Sequence, residues 1–577
     1  MNRARSTRAL AAALALVVGA SSAVAWDRFE NLPGAARVRK AQSEAAGMFR
    51  GGRGEVRFAP DGSAVAWRDA DVWNRIDLGA IAGNAGAEVV VAEMAEAPEW
   101  PAWSAPEPKY APAPPSPPAP GRGLQALIAN APDGTRVAKF VDGNVVITTP
   151  EGDELVTTEG GGAIRYGNAS WVYGEELDQS TAMWWSPDGR YLAYYRFDDS
   201  PVTPVPMLVD QASVRPRVEE LPFPKPGEPN PIAGLEIFDT QTKKRVTVDV
   251  GSDKDQYVFW VKWTPDSSAL MFNRTNRHQN KLEVMLADPA SGASKPFITE
   301  TQETWQENHP GMRFLSDGRR LIWESEQSGF RQFELWDLAN GRISQLSQGD
   351  FPVASIVRVD EANGRLWYTA YGSETRINPQ LFVANLDGTG VRRLTPRDRH
   401  YSNFTISPDG RWFTATEQFV DQAPAVLLFD CGPKGGGGAS GASGAGASTG
   451  AAREVATLRE RDADAWTNRG AHAPEFFTCM AADGTTPLYG ILHKPRDFDA
   501  AKKYPLLIDV YGGPGIQTVS TRAASPDART EFGLLIAKVD NRGTPGRGKA
   551  FEGATYLRLG GPDIDDQAAA ARFLAER

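Results

Sequence analysis

A short Pro-Asp-Gly turn between two strand-like runs recurs along most of this chain. Proline presets the first turn dihedral and glycine accepts a positive φ, so each copy predicts a tight connection between antiparallel strands. Short alternating runs flank the turn, as in GEVRFAPDGSAVAW and FTISPDGRWFTATE. The turns and their variant forms occupy residues 59–62, 131–134, 186–189, 264–267, 315–318, 361–364 and 407–410.

The spacing of these turns indicates the fold class. Intervals of 46 to 78 residues between successive turns are typical of a β-propeller when some of them skip a degenerate copy. Residues 50–463 are therefore predicted to form a propeller of about eight blades, preceded by an N-terminal segment over residues 26–49. An array of β-sandwiches is the alternative, although sandwich turns are more frequent and less alike.

Two low-complexity segments interrupt the repeat. Residues 105–121, APEPKYAPAPPSPPAPG, predict an extended polyproline-type loop, and the glycine-rich residues 432–452 predict flexible coil. Both are interpreted as surface insertions. The second contains Gly446-Ala-Ser448-Thr-Gly450, which satisfies G-x-S-x-G. A nucleophile elbow needs a buried strand before the serine and a helix after it, so we interpret this match as accidental.

The pattern changes over residues 464–577. FFTCMAADG and TPLYGILHKP predict a hairpin, whereas YPLLIDVYGGPG and FGLLIAKVDNRG predict apolar strands. PDIDDQAAAARFLAER predicts a helix with aspartates in its first turn, where the helix dipole favours them. Apolar strands that alternate with loops and a helix are typical of an α/β sheet.

The N-terminus predicts export. Residues 1–25 combine three arginines, an apolar run and the small-x-small site Ala23-Val-Ala25, as a cleaved signal peptide does. A membrane anchor is the alternative, but the apolar run is shorter than the roughly 20 residues that span a bilayer. The formal charge is −10, and without the arginines of the signal it becomes −13. This acidic balance argues against nucleic acid or an anionic membrane as a partner.

Cysteine and histidine give no metal signal. The two cysteines, Cys431 and Cys479, are too few for a disulfide framework, and whether they bond to each other stays open. The five histidines are scattered without the spacing of metal ligands. We therefore expect no metal and no cofactor.

Several motifs, in this order, identify a family. WVYGEE with WWSPDG behind it, FDDSPV, LPFPKPGEPNP, SEQSGFRQ, DVYGGPG, DNRG and LGGPDIDDQ together make the chain resemble the dipeptidyl peptidase IV branch of the prolyl oligopeptidase family of serine peptidases. The resemblance covers nearly the whole chain after the signal. It implies an eight-bladed propeller that caps an α/β-hydrolase domain, of which residues 464–577 would be an incomplete part.

The resemblance implies roles for three residues. By position after Trp-Val-Tyr, Glu175 and Glu176 match the acids that bind the free α-amino group of a peptide. Two carboxylates that face an ammonium provide charge-assisted hydrogen bonds. Tyr511 matches the tyrosine whose hydroxyl, with a backbone N–H, stabilises the tetrahedral oxyanion. The alternative without a function is that Glu175 and Glu176 are an acidic pair on a solvated loop. For Tyr511, it is that the aromatic ring only packs.

This chain departs from the family pattern in two places. The first of the family's usual three acids is Gly174 here, and the segment between the acids and Trp184 is about one residue shorter, which leaves the dipeptide spacing open. In the family, the serine elbow follows the helix that here reads DQAAAARFLAER, and the acid and the base come later. His472, His493 and Asp509 precede that point and do not match catalytic positions.

These observations predict a secreted or periplasmic serine exopeptidase that releases short, dipeptide-like N-terminal peptides. As given, the chain lacks the Ser-Asp-His triad and is expected to be inactive. A non-catalytic propeller that binds peptide N-termini or a protein partner is one alternative, and a tripeptidyl or acylaminoacyl peptidase is another. The expected partners are peptides with a free N-terminus, and a homodimer is possible by the resemblance.

Overall fold

The computed structural model describes residues 32–49, 55–82, 88–100, 107–110, 121–432 and 450–577. The predicted signal peptide, residues 433–449 with Ser448, and most of the proline-rich insertion lie outside these residues. The chain divides into two compact units. The first unit comprises the described parts of Glu107–Trp323 and Trp336–Arg342, and the second comprises those of Asp27–Pro106, Glu324–Leu335 and Ile343–Arg577.

Most strands form antiparallel sheets in which chain neighbours pair. In the second unit, the first sheet consists of β1 (Val56–Phe58), β2 (Ala64–Asp69), β3 (Val72–Asp77) and β4 (Val91–Met94). The sheets of the first unit contain β5 (Ile128–Asn130), β6 (Val137–Val141), β7 (Asn144–Thr149) and β8 (Gly152–Leu155); β9 (Ile164–Tyr166), β10 (Met183–Trp185), β11 (Tyr191–Asp198), β14 (Ile232–Asp239) and β15 (Lys244–Thr247); the hairpin of β12 (Pro204–Val209) and β13 (Arg217–Pro222); and β16 (Gln256–Trp263), β17 (Leu270–Asn276), β18 (Lys281–Ala287) and β19 (Ser294–Thr301).

The later strands form three further sheets in chain order and a last sheet in a different order. They are β20 (Met312–Phe314), β21 (Arg320–Ser325), β22 (Gln332–Asp337) and β23 (Gly341–Gln345); β24 (Val353–Asp360), β25 (Arg365–Ala370), β26 (Gln380–Asn385) and β27 (Arg392–Arg393); β28 (His400–Ile406), β29 (Trp412–Phe419), β30 (Gln422–Asp430) and β31 (Arg453–Arg459); and β32 (Glu475–Met480), β33 (Pro487–His493), β34 (Leu506–Ile508) and β35 (Leu535–Asp540). The α-helices are α1 (Ala35–Ala45), α2 (Leu78–Ile81), α3 (Trp171–Glu175), α4 (Lys549–Glu552) and α5 (Pro562–Glu576), and the 3₁₀ helices are Thr467–Arg469, Ala528–Phe532 and Gly553–Thr555.

The described residues contain seven sheets of the kind expected for blades. Each Pro-Asp-Gly turn or variant joins the two strands that open a four-strand run, as between β1 and β2 or between β28 and β29. The turns close as expected, since Gly62 N–H donates to Ala59 O at 2.9 Å and Gly410 N–H donates to Ser407 O at 2.8 Å. The predicted antiparallel pairing of the strands on the two sides of each turn is confirmed, while the number eight stays a prediction.

Large aromatic residues pack among aliphatic ones in the core of the first unit. Tyr195 and Phe197 of β11 are fully buried, with ring centroids 5.2 Å apart. Trp323 is buried in the same cluster, and its indole N–H donates to Glu300 Oε1 at 2.8 Å. Full burial of a large apolar side chain contributes about 1.5–3 kcal/mol. The polar edges of these aromatics need partners in the core, and the structure supplies them.

In the second unit, the sheet β1–β4 packs against β28–β31. Trp67 of β2 shares a buried cluster with Trp412 and Leu428. Nearby, Arg459 Nε and Asp69 Oδ1 are 3.0 Å apart. Residues separated by more than 300 positions in the sequence therefore stabilise one another.

Residues 475–577 form the α/β part of the second unit, in the sheet order β32-β33-β35-β34. The predicted hairpin is β32 with β33, and β34 pairs in parallel with β35. The predicted helix is α5, which starts with proline in its first turn and carries Asp563 and Asp565 there. Phe573 of α5 stacks on Phe477, with ring centroids 5.8 Å apart.

One predicted strand is shorter than the sequence indicates. The apolar run over residues 505–511 predicts a continuous strand, but β34 ends at Ile508. Asp509 N–H still donates to Ala537 O at 2.8 Å, and its carboxylate pairs with Arg529 at 2.7 Å. The chain then turns at Gly512, where φ is +81°. Val510 and Tyr511 are therefore left in a loop instead of in the sheet.

Three remaining expectations concern the thiols, the membrane and the domain boundary. Cys431 and Cys479 are both buried free thiols, and burial raises the pKa of Cys431 to about 12. No helix within the described ranges is long and apolar enough to cross a bilayer. The predicted boundary at residue 464 falls inside the second unit and stays a prediction.

A buried histidine in the second unit must be neutral. His400, at the start of β28, accepts a hydrogen bond at Nε2 from Arg522 Nε at 3.0 Å, and its Nδ1 lies 3.4 Å from Thr521 Oγ1. Burial lowers the pKa of His400 from 6.5 to about 3, and the positive charge of Arg522 acts in the same direction. The imidazole of His400 therefore binds a proton near pH 6.5 in the unfolded chain, whereas it stays unprotonated at that pH in the folded chain.

We expect acid to destabilise the second unit through this group. The pKa of His400 is lower in the folded state than in the unfolded state. Its contribution to the free energy of unfolding is therefore complete above pH 6.5 and is lost progressively between pH 6.5 and about 3. Between pH 6.5 and 5 the loss is on the order of 2 kcal/mol. Urea unfolding across this range should show a shallower pH dependence for His400→Gln than for wild type. The exposed His472→Gln is the control, and equal slopes for wild type and H400Q would contradict the assignment.

Candidate functional site

A single helical turn carries both acids of the WVYGEE motif. Helix α3 ends at Glu175, and Glu176 is its C-cap residue. Tyr173 anchors the turn, because its buried ring lies edge-on to Phe197 at 4.8 Å and to Tyr195 at 5.7 Å between centroids. Tyr173 therefore fixes the turn to the core, and the two acids come directly after it at the end of the helix.

Two glycines bring a distant segment against this turn. Gly123 and Gly174 form an isolated antiparallel bridge. A Cβ on Gly174 would lie 2.6 Å from the carbonyl carbon of Gly123, and a Cβ on Gly123 would lie 2.1 Å from the indole nitrogen of Trp171. Neither position has room for a side chain. This contact excludes a longer side chain, such as that of an acid, at residue 174.

The glycine contact places Arg122 beside the acids. The guanidinium of Arg122 donates to the Glu175 carboxylate. The Glu175 side chain is only 8% exposed, whereas that of Arg122 is 86% exposed. The hydrogen bond to Glu175 raises the pKa of Arg122, and the charges of Glu175 and Glu176 act in the same direction. Sequence reasoning missed Arg122, for which only the nearby glycines gave a signal.

Glu176 differs from its neighbour in its surroundings. Its side chain is exposed, while Glu175 is half-buried overall and paired with arginine. The three charged side chains Arg122, Glu175 and Glu176 thus carry one net negative charge. Such a group attracts a cation with N–H donors, which is the chemistry of a peptide's terminal ammonium.

Tyr511 belongs to the second unit. It follows β34, and the residue is 54% exposed. The glycine loop after it is held by Asn541, whose amide donates to Gly512 O at 3.1 Å. Gln567 of α5 donates in turn to Asn541 Oδ1 at 2.8 Å. The loop is therefore tied to the sheet and to α5.

His472, His493 and Asp509, which do not match catalytic positions in the sequence, differ in their surroundings. His493 Nδ1 accepts from Asp527 N–H at 3.2 Å, and burial lowers the pKa of His493 to about 4. Asp509 pairs with Arg529, and His472 is exposed. Within the described ranges, no group of three or more His, Cys, Asp or Glu side chains could hold a metal ion.

Comparison with family models gives the class of protein. The model of the dipeptidyl peptidase IV N-terminal region matches residues 107–424, and that of the prolyl oligopeptidase family matches residues 520–577. The first match covers more than half of the chain. The chain belongs to the dipeptidyl peptidase IV branch of the prolyl oligopeptidase family.

Individual relatives agree with this class. The chain is 28% identical over 478 residues to "Probable dipeptidyl peptidase 4" of Aspergillus fumigatus, which covers 77% of this chain and 59% of the relative. It is 27% identical over 460 residues to dipeptidyl peptidase 4 of Trichophyton equinum, which covers 75% of this chain and 56% of the relative. The chain thus spans less than two thirds of the length of these relatives.

A solved structure supports the fold. Porphyromonas gingivalis dipeptidyl peptidase 4 aligns with a TM-score of 0.63 at 22% identity, over 92% of this chain and 78% of that one. At this identity the likeness shows the fold alone. The antiparallel sheets and the α/β part described above are therefore shared with a dipeptidyl peptidase structure.

The glycine contact yields a stability prediction. Gly174→Ala would ordinarily favour a helix by up to about 1 kcal/mol. Here we expect the opposite sign, a loss of roughly 1–3 kcal/mol, because the new Cβ overlaps the Gly123 backbone. Gly234→Ala in β14 is the control, since its Cβ would have 3.6 Å to its nearest neighbour. Unfolding in urea tests both, and a G174A variant as stable as wild type would refute the contact.

Proposed function

We propose that this chain is the peptide-binding part of a serine exopeptidase that releases short, dipeptide-like N-terminal peptides. The observation that carries the proposal is the acid pair at the end of α3, with Glu176 exposed and Glu175 held by Arg122. The relatives named dipeptidyl peptidase support the reaction class. In this role Glu175 and Glu176 bind the α-amino group and Tyr511 stabilises the oxyanion.

The two acids select peptides with a free N-terminus before any reaction takes place. A ligand ammonium at Glu176 replaces water with charge-assisted hydrogen bonds, each contributing about 1.5–3 kcal/mol. A blocked N-terminus has no such charge, so it gains nothing from the acids. Binding, rather than turnover, is the property to measure, because it reports on the two acids directly. Export by the predicted signal and a homodimer remain part of this proposal.

The test compares one peptide with a free and with an acetylated N-terminus. We expect wild type to bind Ala-Pro-Ala carrying a C-terminal fluorophore more tightly than its N-acetyl form, as measured by fluorescence anisotropy. Glu176→Gln should weaken only the free-amine peptide, by about tenfold or more. Glu175→Gln should also weaken it, because Arg122 would then lose its partner and turn to Glu176.

The control is Glu154→Gln, another acid of the first unit paired with a base, Lys243, at 2.9 Å. This variant should bind like wild type. Equal binding of both peptides by wild type would refute the proposal. Tighter binding of the acetylated peptide would favour the acylaminoacyl alternative.

A further inference from the structure

The strand β16 contains a defect that faces the acid-bearing turn. Its register with β17 shifts between Phe259 and Lys262, so that Trp260 and Val261 together oppose one residue of β17. Trp260 lies in the left-handed region, with φ +53°. Bulky residues rarely adopt this conformation, and a bulge leaves its extra residue without a ladder partner. The N–H of Trp260 therefore needs an acceptor from elsewhere.

Gln179 supplies that acceptor. The N–H of Trp260 donates to Gln179 Oε1 at 2.6 Å, and Tyr195 Oη lies 3.3 Å from the same oxygen. Gln179 is only 6% exposed. This hydrogen bond is part-buried, and a typical hydrogen bond contributes about 0.5–1.5 kcal/mol net, so its loss would weaken the contact between the loop and the bulge.

Further hydrogen bonds fix the chain on both sides of the acids. Gln179 N–H donates to Tyr173 O at 2.8 Å, which closes a loop that contains Glu175 and Glu176. Tyr173 Oη accepts from Val258 N–H of β16 at 3.2 Å. The acids thus lie between two attachments to the same strand.

The remaining attachment lies between the acids and Gln179. His309 Nε2 is 2.9 Å from the carbonyl oxygen of Leu177, whose side chain is buried. His309 in turn lies edge-on to Phe259 of β16, at 5.4 Å between ring centroids. Of these attachments, the bond from Trp260 to Gln179 is the one that ties the loop to the bulge itself.

We propose that Gln179 is a positioning residue that holds the Glu175–Glu176 turn against the bulge at Trp260. It thereby sets the preference of the site for a free peptide amine. The inference rests on the proposed function and deepens it. A turn fixed before binding costs little conformational entropy when the ammonium arrives, whereas a loosened turn must be ordered by the ligand. Gln179 itself need not touch the peptide.

The experiment uses the full chain and the same pair of fluorescent peptides. The measured quantity is the ratio of the free-amine affinity to the N-acetyl affinity. Gln179→Leu removes the acceptor at similar size, and we expect this ratio to fall about 3- to 10-fold, as for one lost hydrogen bond. Gln179→Glu keeps an oxygen at the same reach and should restore most of the ratio. If Q179L does not accumulate, Gln179→Asn, which withdraws the acceptor by one methylene, carries the same test.

The matched control is Gln256→Leu on β16. Gln256 is 7% exposed and donates from Nε2 to Val250 O at 2.9 Å, so its loss destabilises the same strand without touching the acid turn. Q256L should keep the wild-type ratio. The inference fails if Q179L keeps the ratio, or if Q256L lowers it equally. If wild type binds both peptides alike, the proposed function fails as well, so the two failures can be told apart.

Discussion

The unpaired edge of the opening strand in a sheet is the constraint on which the site depends. A sheet edge presents N–H and C=O groups that must find partners when they are buried. At β16 these groups are satisfied by Tyr173 of α3, by Gln179 just after it, and by Tyr195 of β11, whose hydroxyl donates to Val258 O at 2.8 Å. The turn that carries Glu175 and Glu176 thus covers the edge of β16. The acids proposed to bind the amine and two of the side chains that protect the edge, Tyr173 and Gln179, belong to one turn, which links the stability of the sheet to the geometry of the acids.

The sequence was informative where a local signal repeats. The turn residues locate the opening hairpin of each sheet because the Pro-Asp-Gly dihedrals and the hydrogen bond across the turn are encoded within four residues. The number of blades is encoded less directly, because the β12–β13 hairpin adds residues without adding a four-stranded sheet, and the number eight stays a prediction. The end of β34 was also mispredicted, since the apolar run continues past Ile508 while pairing with β35 does not.

The site was predicted only in part, for a related reason. Glu175 and Glu176 are adjacent and sit in a motif, so the sequence identified them. Arg122 is 53 residues away from Glu175, and backbone contacts such as the Gly123–Gly174 bridge bring the two together. Gln179 resembles any polar loop residue until the bulge opposite it is known. Contacts that depend on a close backbone approach or on a strand defect have no local sequence pattern, so they need the structure.

The two adjacent acids differ in burial and in charge compensation. The half-buried Glu175 would be costly without a partner, because a buried carboxylate loses its hydration. Arg122 compensates that cost while its own side chain stays in water. Glu176 stays exposed, so its hydration cost is low and its charge is not neutralised within the pair. One added ammonium brings the three side chains to neutrality, whereas a dication would leave an excess positive charge. The arrangement is therefore matched in charge to a single terminal amine.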